Sequence, residues 1–332
     1  MADSITDPPP AAVVQELTAL RSELNQAIPA KRLDDNLLIA TWNLRAFGGL
    51  TEKWRSAEGD SPKRDLHALR CIAEIVARFD VIAIQEVKDD IKALRHMLKV
   101  LGPDWGLIMT DVTLGSQGND ERMAFVFDTR RVKPSGLAGE LVVPPEWQTD
   151  KRITEGALTR QFARTPYAVS FVADDQTFIL VTLHVVYGEK AADRAPELKG
   201  IAEWLADWAR REKSWGHNLI ALGDFNIDRK GDANFQAFTS TGLRPPAELD
   251  QVPRTIFASG KESFYDQIAW FTEGGGGGAP ALSLRFSTSG SFDFTKTALS
   301  TRQLTTMALS WQISDHYPLW AEFITRTEFA SA

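Results

Sequence analysis

The sequence has almost no cysteine, and this shortage excludes a whole class of folds. Cys71 is the single cysteine among 332 residues, so the chain cannot form an internal disulfide bond. Small secreted scaffolds that rely on disulfide bonds are therefore excluded, and folding does not depend on an oxidising compartment. Cys71 lies in a helical pattern, and we interpret it as a buried apolar residue rather than a reactive thiol.

Long apolar runs are also missing from the sequence. No stretch approaches the roughly 20 apolar residues of a membrane-spanning helix, and residues 1–12 are acidic and rich in proline. A start of this kind has neither the basic region nor the apolar region of a secretory signal peptide. The sequence therefore predicts a protein with no transmembrane segment and a cytoplasmic location.

Positive charge is in short supply. The chain carries 37 Lys and Arg residues against 44 Asp and Glu residues, which gives a net charge of −7. This balance disfavours non-specific adhesion to nucleic acids or anionic membranes, although it leaves room for a local basic cleft. An excess of carboxylates also suits a site that binds a cation.

Apolar bulk is abundant. Hydrophobic residues make up 43% of the chain, and ten Trp and 18 Phe residues predict a thick interior, such as two stacked sheets. The length is sufficient for one large domain or two ordinary ones. Because no second core is visible, we predict a single domain over residues 36–327.

Residues 1–35 are predicted to be a segment that precedes the domain. We predict disorder for residues 1–10 and an amphipathic helix from 13 to 28, because apolar residues recur there every three or four positions. Two interpretations of this helix stay open. It packs on the domain, which we favour, or it serves for self-association, although it is too short to establish a coiled coil.

The order of elements along the chain predicts layers of helices and sheets. Short apolar runs typical of strands alternate with helical patterns over 62–79, 89–101 and 190–213. This alternation is typical of α/β or α+β architectures. Five consecutive glycines at 274–278 predict a flexible surface loop.

Polar side chains stand at the ends of several strand-like runs. Alone, each suits a turn or a satisfied core position, but strand ends converge on one rim of a sheet, where sites are built. Carboxylate and amide oxygens are hard ligands that suit Mg²⁺, Mn²⁺ or Ca²⁺. Such an ion beside two histidines suits phosphate-ester hydrolysis, because the metal polarises the phosphoryl oxygen while a base deprotonates water. The residues are Asn43, Glu86, His184, Asp224, Asn226, Asp315 and His316.

Six motifs follow one another in order along the chain. The ordered set resembles the endonuclease/exonuclease/phosphatase superfamily, and within it the deoxyribonuclease I branch, over roughly residues 37–325. The resemblance implies an α/β (α+β) fold, a four-layered α/β/β/α sandwich with its site at one end of the paired sheets. The motifs are IATWNLRAFG at 39–48, QEVKD at 85–89, ERMAFVF at 121–127, GDFN at 223–226, YDQI at 265–268 and ISDHYP at 313–318.

The resemblance also implies roles for acid–base residues. His184 and His316 resemble the two catalytic histidines of the family, with Glu121 paired to His184 and Asp266 paired to His316. A carboxylate bonded to an imidazole fixes its tautomer and raises its basicity. The general base stays open among His184, His316 and Asp224.

Metal and phosphate ligands follow from the same resemblance. Glu86 resembles the metal-binding glutamate of the family, with Asn43 beside it and Asp315 as a further carboxylate near the metal. Asp224 and Asn226 resemble the pair that orients water and the scissile phosphate. Arg164 resembles the phosphate-binding arginine.

The resemblance implies a Mg²⁺-dependent phosphodiesterase, with Mn²⁺ or Ca²⁺ as other candidate ions. DNA is the expected partner, nicked with weak sequence preference, and Arg45, Lys88 and Arg122 are basic candidates for contact with it. The alternative is a phosphodiesterase or phosphatase of the phosphoinositide or sphingomyelin type, acting on a lipid or small molecule with the same fold.

This chain departs from the deoxyribonuclease I branch in two places. Gly118-Asn119-Asp120 stands where those enzymes place an aromatic residue that packs in the minor groove. The polar segment 144–162 is individual to this sequence, and its Arg152 and Arg160 are expected to border the cleft.

Overall fold

The computed structural model describes residues 3–113, 119–142, 162, 164–211, 218–257, 263–273 and 279–325. The glycine run 274–278, together with Arg152 and Arg160, lies outside the described residues.

Strands and helices alternate along most of the described chain. The strands are β1 (Asn36–Phe47), β2 (Val81–Lys88), β3 (Trp105–Met109), β4 (Glu121–Asp128), β5 (Lys133–Glu140), β6 (Tyr167–Ala173), β7 (Gln176–His184), β8 (Leu219–Ile227), β9 (Leu243–Arg244), β10 (Phe264–Phe271), β11 (Arg285–Ser291) and β12 (Leu319–Ile324). The helices are α1 (Ala11–Ala27), α2 (Leu66–Val76), α3 (Lys92–Leu101), α4 (Ala195–Arg211), α5 (Ala233–Thr239) and α6 (Thr306–Gln312). No helix in the described part of the chain is both long and apolar enough to span a membrane.

The predicted helices are present, with boundaries set by local capping. Helix α2 begins at Leu66 because the Asp65 side chain accepts a hydrogen bond from the backbone N–H of Ala68. The long helix predicted over 190–213 is divided into a short 3₁₀ turn at Ala191–Asp193 and α4.

The strands form two six-stranded sheets. The first has the order β11-β12-β1-β2-β4-β3 and the second has the order β5-β6-β7-β8-β10-β9. Each sheet contains one parallel pair at its centre, β1 with β2 in the first and β7 with β8 in the second. The carboxyl ends of the paired strands therefore lie at the same edge in each sheet.

Alternation along β1 shows how the sequence separates the layers. Leu38 and Trp42 belong to the core between the first sheet and helices α1, α2 and α3, while Leu37 and Ile39 belong to the core between the sheets. Successive strand residues point to opposite faces, so a fully apolar strand is buried on both. A third core joins the second sheet to α4 and α5. The predicted four-layered α/β/β/α sandwich is confirmed.

The start of the chain packs on the domain. Ile5 is only 2% exposed, and the backbone N–H of Asp3 donates to the carbonyl of Glu52. Asp3 also accepts from the N–H of Trp54, and the carbonyl of Ile5 accepts from Arg70. These contacts differ from the disorder predicted for residues 1–10, because Ile5 and the hydrogen bonds around it dock the segment on the domain. The apolar face of α1 is buried in the same core as α2, so the face considered for self-association is covered by the domain itself.

Candidate active site

Strand register brings three polar residues together in the second sheet. His184 at the end of β7 pairs with Asp224 in β8, and Asp224 pairs with Asp266 in β10. Asp315 and His316 precede β12 of the first sheet, and the backbone of Thr255 bridges to His316. Loops from both sheets therefore meet at one end of the sandwich.

The backbone at this edge adopts conformations that ordinary strands avoid. Glu86 and Asn226 have positive φ values of 61° and 51°. Gly223 has φ of 141°, and a Cβ atom there would lie 2.1 Å from the carbonyl oxygen of Leu183. Only glycine fits that position, because any side chain would separate β8 from β7 just before the site.

His316 and Asp266 form the first imidazole–carboxylate pair. Nδ1 of His316 donates to Oδ2 of Asp266 at 2.6 Å. Burial raises the pKa of Asp266 to about 6, although the charge of His316 opposes that shift. Burial lowers the pKa of His316, but the charges of Asp266 and Asp224 outweigh it and raise that pKa well above its ordinary value. At neutral pH the pair consists of an ionised carboxylate and a protonated imidazole.

His184 and Glu121 form the second pair, in more crowded surroundings. Nδ1 of His184 lies 3.0 Å from Oε2 of Glu121, and Nε of Arg164 lies 2.7 Å from the same oxygen. Nζ of Lys88 lies 3.0 Å from Oε1, and the side-chain amide of Asn119 also donates to Oε1. Burial raises the pKa of Glu121, but its bonds and charge interactions with His184, Arg164 and Lys88 outweigh burial and lower that pKa to about 2.

Asp224 lies between the two histidines. Its Oδ2 is 3.8 Å from Nε2 of His184 and 3.9 Å from Nε2 of His316. Asn43 donates to Oδ2 at 2.9 Å, and the backbone N–H of Asn226 donates to Oδ1 at 2.9 Å. Burial raises the pKa of Asp224, but the two histidines and these donors outweigh it and lower the pKa. A water molecule or a phosphate oxygen at this point would be within reach of both imidazoles.

The three residues suggested as oxygen ligands of a metal differ in whether their oxygens already have partners. Asn43 is 1% exposed, and its Oδ1 has no hydrogen-bond partner among the described residues. Glu86 accepts from the N–H of Ala46 at 2.9 Å, and Asp315 lies 3.5 Å from Nη1 of Arg45. The described residues contain no group of three or more His, Cys, Asp or Glu side chains arranged to hold an ion. An orphaned amide oxygen near a strand-end glutamate nevertheless fits a hard cation.

The basic residues differ in their availability to a ligand. Arg164 is held by Glu121, yet its Nη1 is buried and has no hydrogen-bond partner in the described part of the chain. Arg45 lies against Asp315, and Lys88 lies against Glu121. Arg122 donates to the backbone carbonyls of Lys88 and Asp89, so it braces the loop after β2.

Sequence reasoning missed two buried arginines that brace the site. Arg254 is 2% exposed and donates to the carbonyls of Asp266 and Val252 at 2.8 and 3.0 Å. Arg64 is also 2% exposed and donates to four backbone carbonyls, among them those of Arg45 and Ala46. Burial lowers the pKa of each arginine to about 10. Neither stands at a strand end, so no pattern in the sequence distinguishes them from surface arginines.

A four-layered sandwich with two histidines around one aspartate offers the acid–base groups that hydrolysis of a phosphoester needs. A profile of the endonuclease/exonuclease/phosphatase family matches residues 40–316, and the chain belongs to that family. Its members are hydrolases of phosphoester bonds, and nucleases among them generally use divalent metal ions.

Curated relatives are named deoxyribonucleases. One from Thioalkalivibrio sp. (strain K90mix) is 30% identical over 213 residues, covering 60% of this chain and 48% of that protein. Deoxyribonuclease-1 of Bos taurus is 25% identical over 202 residues, covering 58% of this chain and 61% of that protein. The match thus spans less than two thirds of the length of either relative.

Solved structures share the fold at lower identity. The human nocturnin catalytic domain has a TM-score of 0.57 and is 15% identical, with 89% of this chain and 95% of that chain covered. At this identity the likeness shows the fold alone.

Proposed function

We propose that the protein is a metal-dependent phosphodiesterase that nicks DNA with weak sequence preference. The observation that supports it most is the position of Asp224, whose Oδ2 lies 3.8 and 3.9 Å from Nε2 of His184 and His316. A hydrolysis that needs one group to take a proton and another to give one is served by two imidazoles on either side of one carboxylate. The deoxyribonuclease names of two curated relatives support DNA as the substrate.

His316 acts as the proton donor in this proposal. Asp266 and Asp224 keep its imidazole charged, and Asp266 holds Nδ1, so Nε2 carries the proton that can be transferred. This proton goes to the 3′ oxygen as the bond between phosphorus and that oxygen breaks. The products are a 5′-phosphate and a 3′-hydroxyl.

His184 acts as the proton acceptor. Its Nδ1 faces Glu121, which leaves Nε2 directed toward Asp224 and able to take a proton from the attacking water. Asp224, held by Asn43 and Asn226, orients that water for attack on phosphorus. The proton taken by His184 and the proton given by His316 balance over one turnover.

Glu86 and Asn43 would hold the divalent cation, with Asp315 as the third oxygen donor. When bound, Mg²⁺, Mn²⁺ or Ca²⁺ supplies charge that stabilises the phosphoryl oxygens. Arg164 is placed to bind a phosphate oxygen through its free Nη1, and Arg45 and Lys88 extend the positive rim. Contacts of this kind favour affinity over sequence selectivity and weaken as salt is added.

A plasmid-nicking assay tests the proposal. We expect nicking with Mg²⁺, none with EDTA, and a loss of at least about 100-fold in His184→Ala. His96→Ala is the matched control, because His96 pairs with Glu52 and the carbonyl of Lys92, outside the site. Nicking that survives EDTA or His184→Ala would contradict the proposal.

The second candidate function is separated in the same assay series. The matched family includes phosphatases by its description, so phosphoinositides and sphingomyelin are assayed beside the plasmid. Faster turnover of either lipid than of DNA would replace the nuclease proposal with a lipid phosphodiesterase or phosphatase.

A further inference from the structure

Two exposed aromatic rings flank the site, and each is held by an arginine that also contacts a site loop. Trp311 is 47% exposed and Tyr187 is 58% exposed. Trp311 stands five residues before His316, and Tyr187 stands three residues after His184. Rings of this size present a rigid apolar face at low entropic cost, so they favour contact with a flat ligand.

Trp311 is fixed beside the His316 loop. The guanidinium carbon of Arg45 lies 3.9 Å from the centre of its ring. Nη1 of Arg45 donates to Oγ of Ser310 at 2.7 Å and lies 3.5 Å from Oδ2 of Asp315. The indole is therefore separated from Asp315 by a single guanidinium group.

Tyr187 has a matching arrangement on the side of the second sheet. The guanidinium carbon of Arg194 lies 4.3 Å from the centre of its ring. Nη1 of Arg194 donates to the carbonyl of Asn226 at 2.6 Å, and Arg194 is only 3% exposed. Tyr265, in β10, has its ring centre 5.9 Å from that of His316.

The pairing of arginine with aromatic ring suits one ligand in particular. Arg45 brings positive charge to the edge of the site, whereas Arg194 is paired with Asp228 at 3.1 Å and serves to hold its ring. The two rings supply flat apolar surfaces beside the site. A strand of nucleic acid alternates phosphates with flat bases in this way. In an intact duplex the bases are already stacked on one another, so only unpaired bases are free to stack on protein rings.

We infer that Trp311 and Tyr187 stack unpaired nucleobases on either side of the cleaved phosphate. The preferred substrate is then single-stranded or locally unpaired DNA rather than intact duplex. This inference rests on the proposed nuclease function and narrows its substrate. Base–aromatic stacking of this kind predicts a loss of about 5- to 150-fold in binding when a ring is truncated to alanine.

The test compares two single strands that differ only in their bases. One is an oligonucleotide of mixed sequence, and the other carries tetrahydrofuran abasic residues on both sides of one phosphate. Wild type, Trp311→Ala, Trp311→Phe and Tyr187→Ala are assayed for kcat and KM on each strand. Val14→Ala is the control, because Val14 is 44% exposed and lies on α1 away from the site.

We expect Trp311→Ala and Tyr187→Ala to raise KM on the strand with bases and to leave cleavage of the abasic strand at the wild-type level. Trp311→Phe retains most of the activity, since a flat ring remains. We also expect wild type to cleave the strand with bases faster than its duplex. An equal loss on both strands would overturn the inference, because Trp311 would then act only by holding Arg45.

The proposed function fails in a different way. If wild type cleaves neither strand nor duplex, the nuclease proposal and this inference both fail. If wild type cleaves DNA but prefers duplex, or if the ring variants match wild type on every strand, the nuclease proposal stands and the stacking inference is rejected.

Discussion

The two imidazole–carboxylate pairs are made of the same groups but stand in different electrostatic surroundings. Glu121 shares its charge among His184, Arg164 and Lys88, and its pKa falls to about 2. In the described part of the chain, His316 is the one charged side chain that is hydrogen-bonded to the carboxylate of Asp266, with the charge of Arg254 acting on it more weakly. Burial raises the pKa of Asp266 to about 6. Glu121 is kept ionised by several cations, whereas Asp266 is kept ionised mainly by the imidazole of His316.

Under the proposed function, this difference suits the two histidines to separate tasks. Asp266 is hydrogen-bonded to His316, and its negative charge raises the pKa of that imidazole. His316 is therefore kept protonated and suited to donate a proton. A carboxylate with three partners mainly positions them, so Glu121 aligns His184, Arg164 and Lys88 around one point. Substitutions in each pair test whether the two pairs differ in this way.

Loss of either histidine has the largest expected effect. His316→Asn and His184→Asn should each lower kcat by about 10²- to 10⁴-fold, because each removes one proton transfer. The measurement is steady-state nicking with Mg²⁺. A loss below about tenfold in both variants would contradict both assignments.

Amide substitutions of the two carboxylates should separate the pairs. Asp266→Asn should lower kcat by roughly 10- to 100-fold with KM unchanged, because His316 loses the charge that keeps it protonated. Glu121→Gln should raise KM as well, because Arg164 and Lys88 lose the anion that holds them. Identical changes in kcat and KM for both variants would remove the distinction.

The pH dependence should follow Asp266 rather than Glu121. Activity should fall about tenfold per unit below pH 6, since protonated Asp266 no longer supports His316. This fall in activity below pH 6 should be absent from the pH profile of Asp266→Asn.

Titration of the two site carboxylates does not predict unfolding over the pH range in which activity is expected to fall. The pKa of Asp266 is higher in the folded state than its unfolded value of about 3.9, so protonation between those values favours the folded state. The pKa of Glu121 is lowered, so its stabilising contribution is lost only as pH falls from about 4.3 toward 2. Far-ultraviolet circular dichroism at pH 5 should therefore show a folded protein, and a parallel loss of structure would contradict this account.

Arg254→Met should have its main effect on stability rather than on chemistry. It removes the arginine donor from the buried carbonyl of Asp266, at a cost of about 1–3 kcal/mol, and from the part-buried carbonyl of Val252, at a smaller cost. Urea unfolding measures the change, and Arg21→Ala is the control, since the half-exposed Arg21–Glu74 pair contributes about 0–1 kcal/mol. Equal midpoints for the two variants would show that Arg254 does not brace the site.

Much of the fold was predictable because it depends on local pattern. The apolar run that becomes β1 is buried on both faces, and the helix predicted over 62–79 is present as α2. Its start at Leu66 is set by the capping side chain of Asp65. The layered α/β prediction follows from such segments. The docking of residues 3–10 was not predictable, because it depends on one buried side chain, Ile5, in a polar stretch.

The residues of the candidate site could be proposed from the sequence, but the distances between them could not. His184 and Asp224 were recognisable because polar residues after buried strands collect at a sheet edge, whereas Asp266 was proposed only through the family resemblance. Their distances were not, since they depend on the register of β7, β8 and β10. Arg254 and Arg64 were not predicted, because nothing in the sequence around them shows that they are buried.

The sequence by itself determined the layers, the family and the chemical groups available for catalysis, because these depend on periodicity and on motifs in order. It took the packed structure to show that, among the described residues, the carboxylate of Glu121 lies against His184, Arg164 and Lys88, whereas His316 is the charged side chain hydrogen-bonded to the carboxylate of Asp266. Electrostatic interactions depend on distance and burial rather than on position along the chain. The difference between the two histidine pairs therefore arises only when the two sheets pack together.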